Sequence, residues 1–109
     1  MQTLKLDNKW FPKIADGTKA STILMGRQDV PLDKLKFVSE DYLWQATVAV
    51  DMVTYTFLGN IPAEVAMGDG FKNRLEFISA MKLEHPDCVD SSEVTLVCFS
   101  PFIPLIGAN

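Results

Sequence analysis

The sequence predicts an α+β fold: a small mixed β-barrel of about five or six strands with two or three flanking helices. Three observations predict it. The longest β-like run, Tyr42 to Phe57, changes phase part-way. Trp44, Ala46, Val48 and Val50 share one face, but Val53, Tyr55 and Phe57 are odd-numbered, with the switch at Asp51-Met52. A one-residue phase change marks a bulge or bend, as a barrel needs at its corners. Second, Phe71, Leu75, Ile78 and Met81 recur at spacings of four, three and three, the stripe of a core-facing amphipathic helix. Third, 109 residues with 48% hydrophobic and 22% charged content suit one packed domain and argue against wholesale disorder.

The elements follow in order. Thr3-Leu4-Lys5-Leu6 alternates polar and apolar, as a short strand does. Asp7 or Asn8 suits a helix cap, with Trp10, Phe11 and Ile14 as the apolar side and Pro12 in the first turn. That helix should end near Asp16-Gly17, where glycine tolerates positive φ. Ser21 to Met25 reads as a strand, Gly26 to Asp33 as a loop and Leu35 to Val38 as a strand. A turn at Ser39-Glu40-Asp41 precedes the long run. Ile61 to Ala66 reads as a short helical turn begun by Pro62. Asp69-Gly70 breaks it, and Asp69 is placed to cap the next helix. Pro86 disfavours helix at His85 and closes that helix. Glu93 to Phe99 is the last strand. Residues 1–100 make the domain, and 101–109 form an apolar tail interrupted by prolines.

No long apolar stretch marks a signal peptide, and none reaches the roughly 20 residues that span a bilayer, so the expected location is the cytoplasm with no membrane partner. Cys88 and Cys98 are too few for a disulfide framework and read as free thiols. Net charge is −4, unevenly spread: residues 1–36 carry a net +3 and residues 37–109 a net −7. A duplex-binding face neutralises many phosphates, which this balance argues against. A local positive pocket for one nucleotide or a short single strand fits the N-terminal third, and so does a merely soluble surface.

Reactive side chains concentrate in Asp16-Gly17-Thr18-Lys19-Ala20-Ser21-Thr22-Ile23. A lysine whose pKa is lowered by a pocket can act as a base toward a threonine hydroxyl. The same residues also describe a solvated turn lysine beside strand hydroxyls. On a regular strand, positions three apart face opposite ways, so Lys19 and Thr22 converge only if the turn bends the chain between them. Asp69 is the carboxylate best placed to join them. Trp10, Phe11 and Trp44 offer stacking surface for a base, or simply core. His85-x-x-Cys88 with Asp87 and Asp90 lacks the second Cys/His pair of a zinc site. No phosphate-cradling glycine loop is present, and a single histidine beside proline argues against a Ser-His-Asp site. No cofactor is expected.

Gly17-Thr18-Lys19-Ala20-Ser21-Thr22-Ile23 resembles the G-x-K-T-x-T-I-R signature of the ASCH domain family, whose fold is PUA-like. Phe11 to Asp16 resembles the short helix leading into it. Ala66-Met67-Gly68-Asp69-Gly70-Phe71 resembles the A-x-x-(D/E)-G-F segment that opens the family's main helix, and Val94 to Phe99 resembles its last strand. The resemblance spans residues 3–100. It implies a nucleoside or single-stranded RNA as partner. Some small bacterial members are amidohydrolases acting on N4-acetylcytidine. For these it implies Lys19 activating Thr22, with Asp69 standing near the family's glutamate and one methylene shorter. Ser21, Arg27, Trp10 and Phe71 are the expected substrate-binding residues. The family's arginine falls on Leu24, with Arg27 as the candidate replacement. The alternative is a non-catalytic RNA-binding or protein-interaction module, or a homodimer, using the C-terminal tail.

Overall fold

The computed structural model describes residues 2–101. The chain runs β1 (Gln2–Leu6), α1 (Trp10–Ala15), β2 (Ser21–Met25), β3 (Lys34–Ser39), β4 (Gln45–Phe57), a 3-10 turn (Leu58–Asn60), α2 (Ala63–Gly68), α3 (Arg74–Glu84) and β5 (Glu93–Pro101). The five strands form one sheet in the order β1-β3-β4-β5-β2. β1 and β3 are parallel and the other pairs antiparallel, so the sheet is mixed. Among the described residues it curls into a half-barrel with three helices and does not close: β1 and β2 are its two edges.

The expected phase change is a bulge. β4 pairs Val50 with Phe99 and then Met52 with Cys98, leaving Asp51 as the extra residue. Val50 and Val53, three apart, therefore both contact the same core. Tyr55 and Phe57, which share the odd phase of Val53, are exposed. β4 begins at Gln45, not Tyr42, because Tyr42 has φ +61° in a tight loop where Trp44 N donates to Ser39 Oγ. Two cores fill the two faces of the sheet. Phe11, Ile14, Leu35, Phe37, Val48, Val97 and Phe99 pack on one face. Ile23, Leu58, Ile61, Phe77, Met81, Val94 and Leu96 pack on the other, under α2 and α3.

Three local expectations need correction. α1 has Lys9 at its N-cap with no side-chain cap; Asp7 instead accepts from Lys9 N at 3.0 Å in the approach loop, and Asn8 donates to Asp41. The cap of α3 is Asn73, whose Oδ1 accepts from Glu76 N at 2.9 Å, because Asp69 is committed elsewhere. The segment Ala66 to Phe71 does not open the main helix; it ends α2 and links to α3. α3 buries Phe77 and Met81, whereas Leu75 is 75% exposed and Phe71 precedes the helix. β5 extends through Pro101, which pairs with Val48. The remaining tail, 102–109, lies outside the described residues, as does any partner contact assigned to it. Among the described residues no helix is long and apolar enough to cross a membrane.

Candidate functional site

The open seam of the half-barrel is a cleft of about 500 Å³. β1 supplies Lys5 and Leu6, β2 supplies Thr22 to Met25, and the start of α1 supplies Trp10. The α2–α3 link supplies Asp69 and Phe71, and the end of α3 supplies Glu84, followed by His85. Its size falls within the range of small-molecule sites.

Lys19 and Asp69 meet at its floor. Gly17, at φ +83°, ends α1 and reverses the chain, and Lys19 N then donates to Lys13 O at 2.9 Å. Next, Ala20 N donates to Gly68 O at 2.7 Å, which ties the entry of β2 to the end of α2. These bonds bring position 19 to position 69. Lys19 Nζ donates to Asp69 Oδ1 at 2.6 Å and to Asp69 O at 3.0 Å. Both residues are deeply buried, at 3% and 5% exposure. Burial pushes the Lys19 ammonium below its usual pKa, against the attraction of Asp69. Burial likewise pushes the Asp69 carboxyl up to about 6, against the attraction of Lys19. Both shifts move toward the neutral forms and have the same cause.

The bend also brings Thr22 and Lys19 to one cleft, with Thr22 95% buried on its floor. No hydrogen bond joins Lys19 to Thr22 among the described residues. The Lys19 ammonium instead lies 4.6 Å from the centre of the Trp10 ring. Lys9 and Lys13 flank the same ring at 5.0 and 5.2 Å, and Lys13 Nζ donates to Gly70 O at 3.0 Å. Phe71 meets Trp10 edge-on at 5.2 Å. Trp10 is thus a wall that positions lysines, and its ring is already occupied by cations. Gly70 makes room for it. A β-carbon there would stand 2.7 Å from Trp10 Cζ3, and the φ of +100° favours glycine in any case.

Two of the expected binding residues lie elsewhere. Arg27 stacks on Tyr55 at 3.8 Å and does not line the cleft. Leu24 does line the cleft. Ser21 pairs with Cys98 on β5, is buried, and its Oγ has no hydrogen-bond partner; it is not part of the cleft lining. Trp44 and Phe11 belong to the first core. His85, Asp87 and Cys88 border a shallower hollow of about 370 Å³, but no group of three potential metal ligands exists among the described residues. Sequence reasoning missed Lys5, Lys9, Gln28, Glu40 and Glu84 as cleft residues. No motif signals them, because only the curl of the sheet brings β1 and α3 to the same opening.

The class this geometry defines is a PUA-like α+β half-barrel whose polar cleft opens at its seam. More particularly, the fold is that of the ASCH domain proteins. The ASCH domain from Lactobacillus crispatus JV V101 superposes with a TM-score of 0.66 at 12% identity, covering 92% of this chain and 79% of that one. A DUF984 protein from Enterococcus faecalis V583 superposes at 0.73 with 9% identity, covering 96% and 77%. A point variant of the ASCH protein of Zymomonas mobilis superposes at 0.66 with 8% identity, covering 91% and 68%. No protein-family model matches the sequence. No curated protein matches it either.

Proposed function

We propose that the seam cleft binds a single nucleobase or nucleoside, free or at the end of a single strand. The observation that carries this reading is the buried Lys19–Asp69 pair, 2.6 Å apart, lining the same small cleft as Thr22. A fully desolvated ion pair is expensive to maintain for stability alone. Placed on a cleft floor, it offers a ligand a donor and an acceptor in fixed positions. Trp10 and Phe71, edge-on at 5.2 Å, supply the aromatic part of the cleft lining.

A second reading, hydrolysis of an acylated exocyclic amine such as that of N4-acetylcytidine, is supported by the same pair. Burial lowers the Lys19 pKa against the attraction of Asp69, which eases access to the neutral amine that a base requires. Such an amine, turned from Asp69 toward Thr22, takes the hydroxyl proton as Thr22 Oγ1 bonds to the acyl carbon. The C–N bond breaks, the proton passes from Lys19 to the departing nitrogen, and water then cleaves the acyl-threonine ester.

The test is titration of the pure protein with the four ribonucleosides, followed by N4-acetylcytidine turnover. Binding should weaken in Lys19→Met. Turnover should fall by on the order of a thousandfold or more in both Thr22→Ala and Lys19→Ala. Retained turnover in either variant removes the catalytic reading. Absence of binding to all four nucleosides removes the primary one.

A further inference from the structure

The free edge of β2 runs along the cleft, and its main chain is oriented toward it. Phe99 N donates to Ala20 O at 3.0 Å, and Gly26 N donates to Glu93 O at 2.8 Å. The register between these bonds, Ser21 with Cys98 through Met25 with Val94, is unbroken. In an antiparallel ladder the hydrogen-bonded pairs alternate, so Thr22 and Leu24 face β5 with their main chain. Ser21, Ile23 and Met25 turn their N–H and C=O groups the other way. β2 is the last strand of the sheet among the described residues, so no described strand meets them. Met25 O accepts from Gln28 Nε2 at 3.0 Å, which marks the direction in which that edge faces.

Thr22, Ile23, Leu24 and Met25 all line the cleft. Successive side chains of a strand point to opposite faces, so only a cleft running along the edge touches four in a row. Ile23 has its side chain in the second core, beneath α2 and α3. Its peptide N–H and C=O lie on the side of β2 away from β5, at the edge the cleft follows. They form a donor beside an acceptor, on the same side of an extended residue.

We propose that Ile23, through its main-chain N–H and C=O, reads the donor–acceptor edge of a planar heterocyclic amide or amidine held in the cleft. This rests on the base-binding reading above and adds a specificity element to it. Each nucleobase carries such an edge where it would pair with another strand, and only an unpaired base leaves it free. Main-chain readout thus selects unpaired bases over duplex ones without a side chain committed to the task.

The experiment is amide NMR of the full chain titrated with cytidine, uridine, adenosine and guanosine. At least one nucleoside should move the Ile23 amide and slow its hydrogen exchange, together with the Trp10 indole. Ile23→Pro removes the N–H without breaking a ladder bond, because that group lies on the free side of an edge strand. It should weaken binding about tenfold, the worth of one hydrogen bond. A chemically synthesised chain with a backbone ester at position 23 removes the same N–H and keeps the side chain. It decides the matter if the proline variant fails to fold. A nucleoside that moves Trp10 and Thr22 but leaves Ile23 exchange unchanged overturns main-chain readout and leaves the cleft reading standing. Four nucleosides that move nothing in the cleft overturn both.

Discussion

Lys19 and Asp69 are drawn toward their neutral forms by one cause, burial, and this makes their contribution to stability depend on pH in a definite direction. The Asp69 carboxyl titrates at about 6 in the fold, whereas an unfolded aspartate titrates at about 4. Between those values the folded chain holds a proton that the unfolded chain has released. Its contribution is therefore fully present below about pH 4 and is lost as pH rises to about 6. Lys19 has the opposite sign. Its folded pKa is lowered, so the unfolded chain binds the extra proton and stability rises with pH up to the ordinary lysine value of 10.5. Urea unfolding of wild type and Asp69→Asn from pH 4 to pH 7 separates the two. The wild type should lose stability relative to Asp69→Asn across that range, and a gain would overturn the assignment of a raised Asp69 pKa. At this scale much of the site was legible. Lys19 and Thr22 stand out in sequence because a lysine and two hydroxyls crowd one glycine turn. The pairing of Lys19 with Asp69, 50 positions away, leaves no mark in the local pattern, and the 2.6 Å contact is visible only in the fold. Arg27 shows the limit. Proximity in sequence to Leu24 made it a candidate, but the positive φ of Gly26 turns the chain and sends Arg27 to Tyr55.

Among the elements, β4 and α3 show why one pattern was readable and another was not. The phase change in β4 is a count along a single strand, and the bulge at Asp51 follows from it directly. The stripe on α3 assumed that the helix begins at Phe71. Asn73 caps it instead, so the helix begins at Arg74 and its buried face contains Phe77 and Met81. Phe71 still packs inward, against Phe77 with ring centres 5.5 Å apart, but from the preceding link. Arg74 then fixes the helix start, its guanidinium donating to Ile61 O at 2.9 Å and Gly59 O at 3.2 Å. Periodicity alone could not choose between Leu75 and Phe77, because which face is buried depends on where the cap stands. Alanine substitution distinguishes them. Phe77→Ala should cost about 3–5 kcal/mol, as for a fully buried phenylalanine. Leu75→Ala should stay within about 0.5 kcal/mol, as for an exposed position. Chemical denaturation of both variants checks the pair, and a large loss at Leu75 would contradict the orientation of α3.

Charge is segregated along the chain, yet the fold undoes that segregation at the seam. Lys5, Lys9 and Lys19 come from the positive first third, and Glu40, Asp69 and Glu84 from the acidic remainder, and all six line one cleft. Lys19 and Asp69 offset each other in the buried pair. That leaves Lys5 and Lys9 facing Asp7, Glu40 and Glu84 around the mouth. The pocket that the N-terminal third suggested as positive therefore carries a small acidic excess, because residues of the first strand and of the last helix line the same opening. With a chain net charge of −4, no surplus of positive charge is focused on the opening. Ligand selection then falls to hydrogen bonds and apolar contact, which salt screens weakly. A protein that neutralises six to ten phosphates loses on the order of 10³ to 10⁵ in affinity between about 50 and 200 mM salt. The affinity of this chain for a nucleoside should change by less than about twofold over that range, and a 5′-phosphate on the same nucleoside should not tighten it. Titrations of a nucleoside and its monophosphate at the two salt concentrations measure both terms. A steep salt slope, or a monophosphate bound much more tightly than its nucleoside, would mean that phosphate contacts dominate. Lys5 and Lys9 would then be the groups that make them.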